Sequence, residues 1–142
     1  MIAYVESSAV LAWILGEPAG TTVRRLLAKA ERVVSSTLTA VECDRAINRG
    51  TATGQLSDTQ RLAALQLLDA AANSWTTVEM TGIVLQRARQ SFPHEPVRTL
   101  DAIHLSTAIH VRQAFPDLVV VSLDTRVREN ASALAMTVAP PR

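Results

Sequence analysis

A chain of 142 residues, 48% hydrophobic and 19% charged, has the size and balance of a globular protein built around one core. No apolar run approaches the roughly 18 residues of a membrane span, and no basic leader precedes Ile2. The lone Cys43 excludes an intrachain disulfide, so a cytoplasmic protein without membrane contact is expected. The net charge is only +1, yet all 14 basic residues except Lys29 are arginines. Arginine suits bidentate phosphate contacts, but a GC-rich genome produces the same bias. Charge therefore permits a nucleic-acid partner without showing one.

The apolar run Ile2–Val5 predicts a first strand, after which Ser7-Ser8 cap a helix through Val10, Leu11, Ile14 and Leu15 to Gly16. Glu17-Pro18-Ala19-Gly20 is a turn, and a short helix follows through Val23, Leu26 and Leu27. Arg32–Ser35 is a brief strand, and Thr37 caps a helix ending near Gly50–Gly54. Ser57-Asp58 open a helix with Leu62, Leu65 and Leu68 at helical spacing. Trp75–Glu79 is a strand, Thr81 caps a helix to Gln90, and two prolines three apart make residues 92–96 a loop. Thr99 caps a helix to Phe115, Leu118–Leu123 is the most apolar strand, a short helix follows Asp124, and Met136–Ala139 is the last strand. Strands alternating with helices over residues 1–142 predict one α/β domain, a mainly parallel sheet covered on both faces.

In such sheets ligands bind beyond the carboxyl ends of the strands. Glu6 closes the first strand and Asp124 follows the apolar strand, so two acids belong at that edge. Glu42 and Asp101 each fall early in a helix. On the helical wheel Asp101 heads a stripe with Leu105, Ala108 and Ile109, while Ser106, Thr107 and His110 point away. Glu42, Arg45 and Arg49 stand at i, i+3 and i+7 and share one face.

Four carboxylates at the mouth of an apolar framework are unfavourable unless something positive neutralises them. Mg²⁺ and Mn²⁺ prefer oxygen ligands, often a few carboxylates completed by water and substrate phosphate. With the four acids set aside, nine acidic residues remain against 14 basic ones, a surface suited to a polyanion. No nucleophile elbow, P-loop or dinucleotide fingerprint is present, and Cys43 and the histidines lack zinc spacing.

The stretch Met1-Ile2-Ala3-Tyr4-Val5-Glu6-Ser7-Ser8 resembles the opening of PIN-domain proteins, an acid followed two residues later by Ser or Thr. Thr39-Ala40-Val41-Glu42-Cys43-Asp44-Arg45 resembles their second motif, Leu100-Asp101-Ala102-Ile103-His104 the third, and Val121-Ser122-Leu123-Asp124 the fourth. A single domain of this size is similar to the VapC-type toxins of toxin–antitoxin pairs. The resemblance implies a three-layer sandwich whose five-stranded sheet runs 3-2-1-4-5. It also implies a Mg²⁺- or Mn²⁺-dependent endoribonuclease cutting structured RNA such as tRNA or rRNA. Such a protein would be a homodimer, neutralised by a VapB-like antitoxin. Glu6, Glu42, Asp101 and Asp124 become the metal-binding and catalytic residues, with Ser8, Arg45 and Ser122 in support.

The family's first acid is normally Asp, and here it is Glu6. One extra methylene displaces the carboxylate by about an ångström unless the side chain folds back, and a misplacement of that size can cost on the order of 10²-fold in rate. The alternative reading is thus a weakened or inactive PIN domain that binds RNA or a partner without efficient cleavage. A phosphatase or phospho-receiver is disfavoured, since there is no acidic pair at the first strand end and Lys29 is misplaced. His104 is expected to be a structural histidine, His94 and His110 surface residues, Cys43 a core side chain, and Trp13 and Trp75 core or interface.

Overall fold

The computed structural model describes residues 1–142. In chain order the elements are β1 (Ile2–Val5), α1 (Ser7–Ile14), α2 (Gly20–Lys29), β2 (Arg32–Ser36), α3 (Thr37–Ala52), α4 (Asp58–Ala72), β3 (Thr76–Val78), α5 (Gly82–Ala88), α6 (Thr99–Ala114), β4 (Val119–Val121), α7 (Thr125–Ala133) and β5 (Thr137–Ala139). The five strands are all parallel in the order β3-β2-β1-β4-β5, as expected from the resemblance. β1 is the centre. Chain order runs outward from it through β2 and β3, then jumps to its other side for β4 and β5, which makes the β1–β4 boundary the switch point.

Alternation along the strands divides the core into two layers. Ala3 and Val5 of β1, with Val121 of β4, pack beneath Ala9, Val10, Val23, Cys43, Ile47 and Leu68 of α1–α4. Tyr4 and Val120 point the other way, into a layer with Leu105, Ala108 and Val111 of α6 and Val127 and Ala131 of α7. Trp13 and Trp75 are half-buried against the first layer. No helix is long and apolar enough to cross a membrane.

Three helix starts differ from expectation by one residue. Glu6, not Ser7-Ser8, is the N-cap of α1, Ser36 rather than Thr37 caps α3, and Arg98 rather than Thr99 precedes α6 without a side-chain cap. A glutamate in the first position is unusual, because short Ser, Thr, Asp and Asn side chains reach the free amides more readily. On α6, Ser106 and Thr107 are buried instead of pointing away. The helix packs against α5 and α7 as well as against Tyr4 and Val120 of the sheet, so more than one of its faces is covered. Each hydroxyl is satisfied by a backbone carbonyl, Ser106 donating to Val84 at 2.5 Å and Thr107 to Ile103 at 2.6 Å.

Candidate active site

The carboxyl ends of β1 and β4 lie side by side, with Val5 opposite Val121 and the Glu6 amide donating to the Val121 carbonyl at 3.0 Å. This register sets Glu6 beside the turn that carries Asp124. Serines stitch the two together. Ser8 Oγ donates to Glu6 Oε2 at 2.5 Å and accepts from the amides of Leu123 and Asp124 at 2.9 and 3.1 Å. Ser122 Oγ donates to the same Glu6 oxygen at 2.6 Å and accepts from the Asp124 amide at 3.1 Å.

Glu6 is buried, and its other oxygen accepts from the Ser8 amide at 2.8 Å, with Ser7 Oγ at 3.2 Å. The longer side chain therefore folds back over the start of α1. Three serine hydroxyls and the Ser8 amide thus bond its two oxygens, which is how this chain tolerates a buried carboxylate.

Glu42 rises from the first half of α3 and turns inward. Its Oε1 accepts from Ser7 Oγ at 2.9 Å and from His104 Nε2 in a short contact. Because a carboxylate only accepts, His104 carries its hydrogen on Nε2. Its Nδ1 then accepts from the Tyr4 hydroxyl at 2.8 Å. Burial, then the charge of Glu6, holds the Tyr4 phenol well above its usual pKa, so it keeps the proton it donates. The result is a directed chain, Tyr4 to His104 to Glu42, anchored on β1 and α6. His104 is the buried structural histidine that was expected. Its contact with Glu42, and the parts of Ser7 and Tyr4, were missed by sequence reasoning. The signal available was His104 lying one helical step from Asp101 on the same inner side.

Asp101 sits in the first turn of α6, where the helix N-terminus favours negative charge. Its carboxyl is nevertheless raised above the ordinary aspartate value, first by burial and then by Asp124, against the lowering influence of Arg98; Glu6 adds to the rise. Asp124 caps α7, accepting from the Val127 amide at 3.0 Å. Arg98 spans the pair, with Nε 3.2 Å from Asp101 Oδ2 and Nη2 3.7 Å from Asp124 Oδ2.

A groove of about 580 Å³ opens from this cluster between α3 and the start of α6, with Glu42, Arg45 and Arg49 on one wall and Arg98, Leu100 and Asp101 on the other. The expected shared face of Glu42, Arg45 and Arg49 is the α3 wall. Cys43, next to Glu42, faces the core, and burial with the neighbouring acids pushes its thiol up to about 12, an unreactive state. Arg128 is structural, donating to the carbonyls of Ser122 and Pro140 at 2.7 Å each.

The donor set is chemically right for a hard divalent cation: carboxylate oxygens, mutual repulsion, a half-open mouth and no thiolate. As the side chains stand, no three of these acids converge closely enough to enclose an ion. The physical reason is visible in their partners, since Glu42 is turned onto His104 and Arg98 spans Asp101 and Asp124.

A parallel 3-2-1-4-5 sheet carrying an acid beyond β1 and another beyond β4, with two more supplied by helices, defines a PIN domain. The sequence profile of that family, described as PIN domain, matches residues 3–133, and the chain belongs to it. Its relatives are VapC-type ribonucleases. It is 33% identical over 138 residues to Ribonuclease VapC46 of Mycobacterium tuberculosis (strain H37Rv), covering 97% of this chain and 96% of that protein. It is 32% identical over 110 residues to Ribonuclease VapC35 of the same organism, covering 78% and 73%. Among solved structures, M. tuberculosis VapC20, described as a sarcin-ricin loop cleaving toxin, superposes with a TM-score of 0.66 at 16% identity over 98% of this chain and 99% of that one. FitAB bound to an IR36 DNA fragment gives 0.67 at 15% identity over 98% and 94%. At such identities these two likenesses speak for the fold.

Proposed function

We propose that this chain is a Mg²⁺- or Mn²⁺-dependent endoribonuclease, the toxin of a toxin–antitoxin pair. The observation that carries the reading is that Glu6 and Asp124 lie beyond the paired ends of β1 and β4, while Glu42 and Asp101, from two helices, line a groove at the same edge of a parallel sheet. There the Asp101 carboxyl is raised, first by burial and then by Asp124, with Arg98 opposing and Glu6 adding. The ribonuclease names of the relatives and the sarcin-ricin loop activity stated for VapC20 support RNA, and structured RNA in particular, as the substrate. The cytoplasm is where such a substrate is met.

A bound divalent ion would polarise the phosphodiester and acidify the attacking water. The residues of this chain do the rest. Asp101, Asp124, Glu6 and Glu42 would hold the ion once Glu42 and Arg98 turn from their present partners. Ser8 and Ser122 fix Glu6, His104 fixes Glu42, and Arg45 with Arg49 offers guanidinium groups to the phosphates along the α3 wall. A structural neighbour described as a member of the VapBC family of toxin–antitoxin systems, VapBC-5 of Mycobacterium tuberculosis, supports a VapB-like antitoxin as partner. A homodimer belongs to this reading through the resemblance to VapC-type toxins.

A second reading, a weakened nuclease, is favoured by the fold-back of Glu6, whose oxygens are already held by serines. Cleavage of total RNA measured while Mn²⁺ is titrated tests the function. Activity should rise with metal, stop on chelation and fall at least on the order of 10²-fold in Asp101→Asn. Cleavage indifferent to chelation would refute the metal-dependent mechanism, and RNA left intact by the wild type would favour the second reading.

A further inference from the structure

Arg98 is the one cation placed directly on the acidic cluster. It pairs with carboxylates from two different elements, hydrogen-bonded to Asp101 of α6 at 3.2 Å and in an ion pair with Asp124 before α7 at 3.7 Å. Its own side chain is 81% exposed, whereas those of Asp101 and Asp124 are 11% and 26% exposed. Charge, not packing, therefore holds it in place, and it can leave without disturbing the fold.

Its position is also a junction. Arg98 lines the groove with Arg45 and Arg49, and it lines a second groove of about 770 Å³ formed with Pro96, Leu123, Thr125 and Arg126. Arginines thus stand on both sides of the acids, with Arg98 where the two tracks meet. A guanidinium and a divalent ion compete for these two carboxylates, and the ion carries twice the charge. Asp124 Oδ1 is already bonded to the Val127 amide, so the oxygen that faces Arg98 is the one left for a metal. Once released, the planar fork of Arg98 matches a phosphate better than an ammonium would.

We propose that Arg98 is a positioning residue with two stations: counter-ion of Asp101 and Asp124 in the free protein, and phosphate clamp between the two grooves once metal takes those carboxylates. This rests on the metal-dependent nuclease reading above. It makes Arg98 a competitor of the metal and an ally of the RNA, so its removal shifts the two affinities in opposite directions. A merely structural residue does not do that.

The test is Mn²⁺ binding to the full chain without RNA, by calorimetry, together with KM for RNA cleavage. Arg98→Met, which keeps the apolar stem, should bind Mn²⁺ about fivefold more tightly, as expected for losing one competing exposed charge, and should raise KM. Arg98→Lys should restore Mn²⁺ affinity to the wild-type level while leaving KM high, since an ammonium competes by charge but lacks the fork. Unchanged or weaker Mn²⁺ binding by Arg98→Met, with the wild type binding normally, overturns the proposal alone. Failure of wild type and variant alike to bind Mn²⁺ overturns the metal-dependent reading and this proposal with it.

Discussion

Glu6 is the residue at which this chain departs from the usual PIN pattern, and its surroundings say what the departure does. The side chain doubles back to cap α1, accepting from the Ser8 amide at 2.8 Å and from the hydroxyls of Ser8 and Ser122. An aspartate makes the same kind of cap with one torsion fewer. Its carboxylate would sit closer to the backbone, and the Ser122 hydroxyl, still accepting from the Asp124 amide, has Ser8 Oγ 3.4 Å away to receive its hydrogen. Glu6→Asp should therefore leave folding intact and raise metal-dependent cleavage by up to about 10²-fold, the span that an ångström of misplacement commands. Single-turnover rates for the two proteins check this; identical rates would mean that the fold-back pose is already productive. The identity of this acid was legible in the sequence, but its pose was not. The pose depends on Ser122, which is 116 residues away and meets Glu6 only because β1 and β4 are paired.

The elements show the same division between what is local and what is not. Strand and helix order, the α6 start near Asp101 and the capping of α4 by Ser57 with Gln60 all follow from short-range chemistry. The buried state of Ser106 and Thr107 does not. A wheel drawn for one neighbouring surface fails when α5 and α7 pack on the helix as well. Likewise Arg98 reads as a solvated charge until α6 and α7 bring Asp101 and Asp124 to it. The helices α1 and α2 approach closely at Gly20, where a Cβ would stand 2.3 Å from the Ala12 carbonyl oxygen and 2.8 Å from Trp13 Cα. Backbone cannot yield as a side-chain tip does. Gly20→Ala should destabilise by about 2–3 kcal/mol, more than the gain in helix propensity returns. Because α1 carries Ser7 and Ser8, cleavage should fall as well. Urea unfolding measures the first effect, and a midpoint equal to wild type would show that the two helices can part at little cost.

At the scale of the whole molecule the acidic edge is a local debt in a slightly basic protein, and stability should report it. Asp101 ionises less readily in the fold than in the unfolded chain, first because it is buried and next because Asp124 faces it, with Arg98 opposing. A carboxyl whose folded value is raised contributes stability below its unfolded value, and that contribution is lost as pH rises through the folded one. Metal-free wild type should thus be penalised from the top of the ordinary aspartate range upward. Asp101→Asn cannot ionise, so in metal-free buffer it should melt above wild type at neutral pH, and the difference should vanish in acid below that range. Mn²⁺ reverses the ranking. An ion that binds only the folded state at a hundredfold excess over its Kd stabilises by about 2.7 kcal/mol. Wild type should gain this at neutral pH and lose it where Asp101 is protonated, while Asp101→Asn gains little at either. Thermal melts at the two pH values, with and without Mn²⁺, contain the whole comparison. If Asp101→Asn melts below wild type in neutral metal-free buffer, the carboxylates are not repelling one another, and a cation is not what this edge is built to receive.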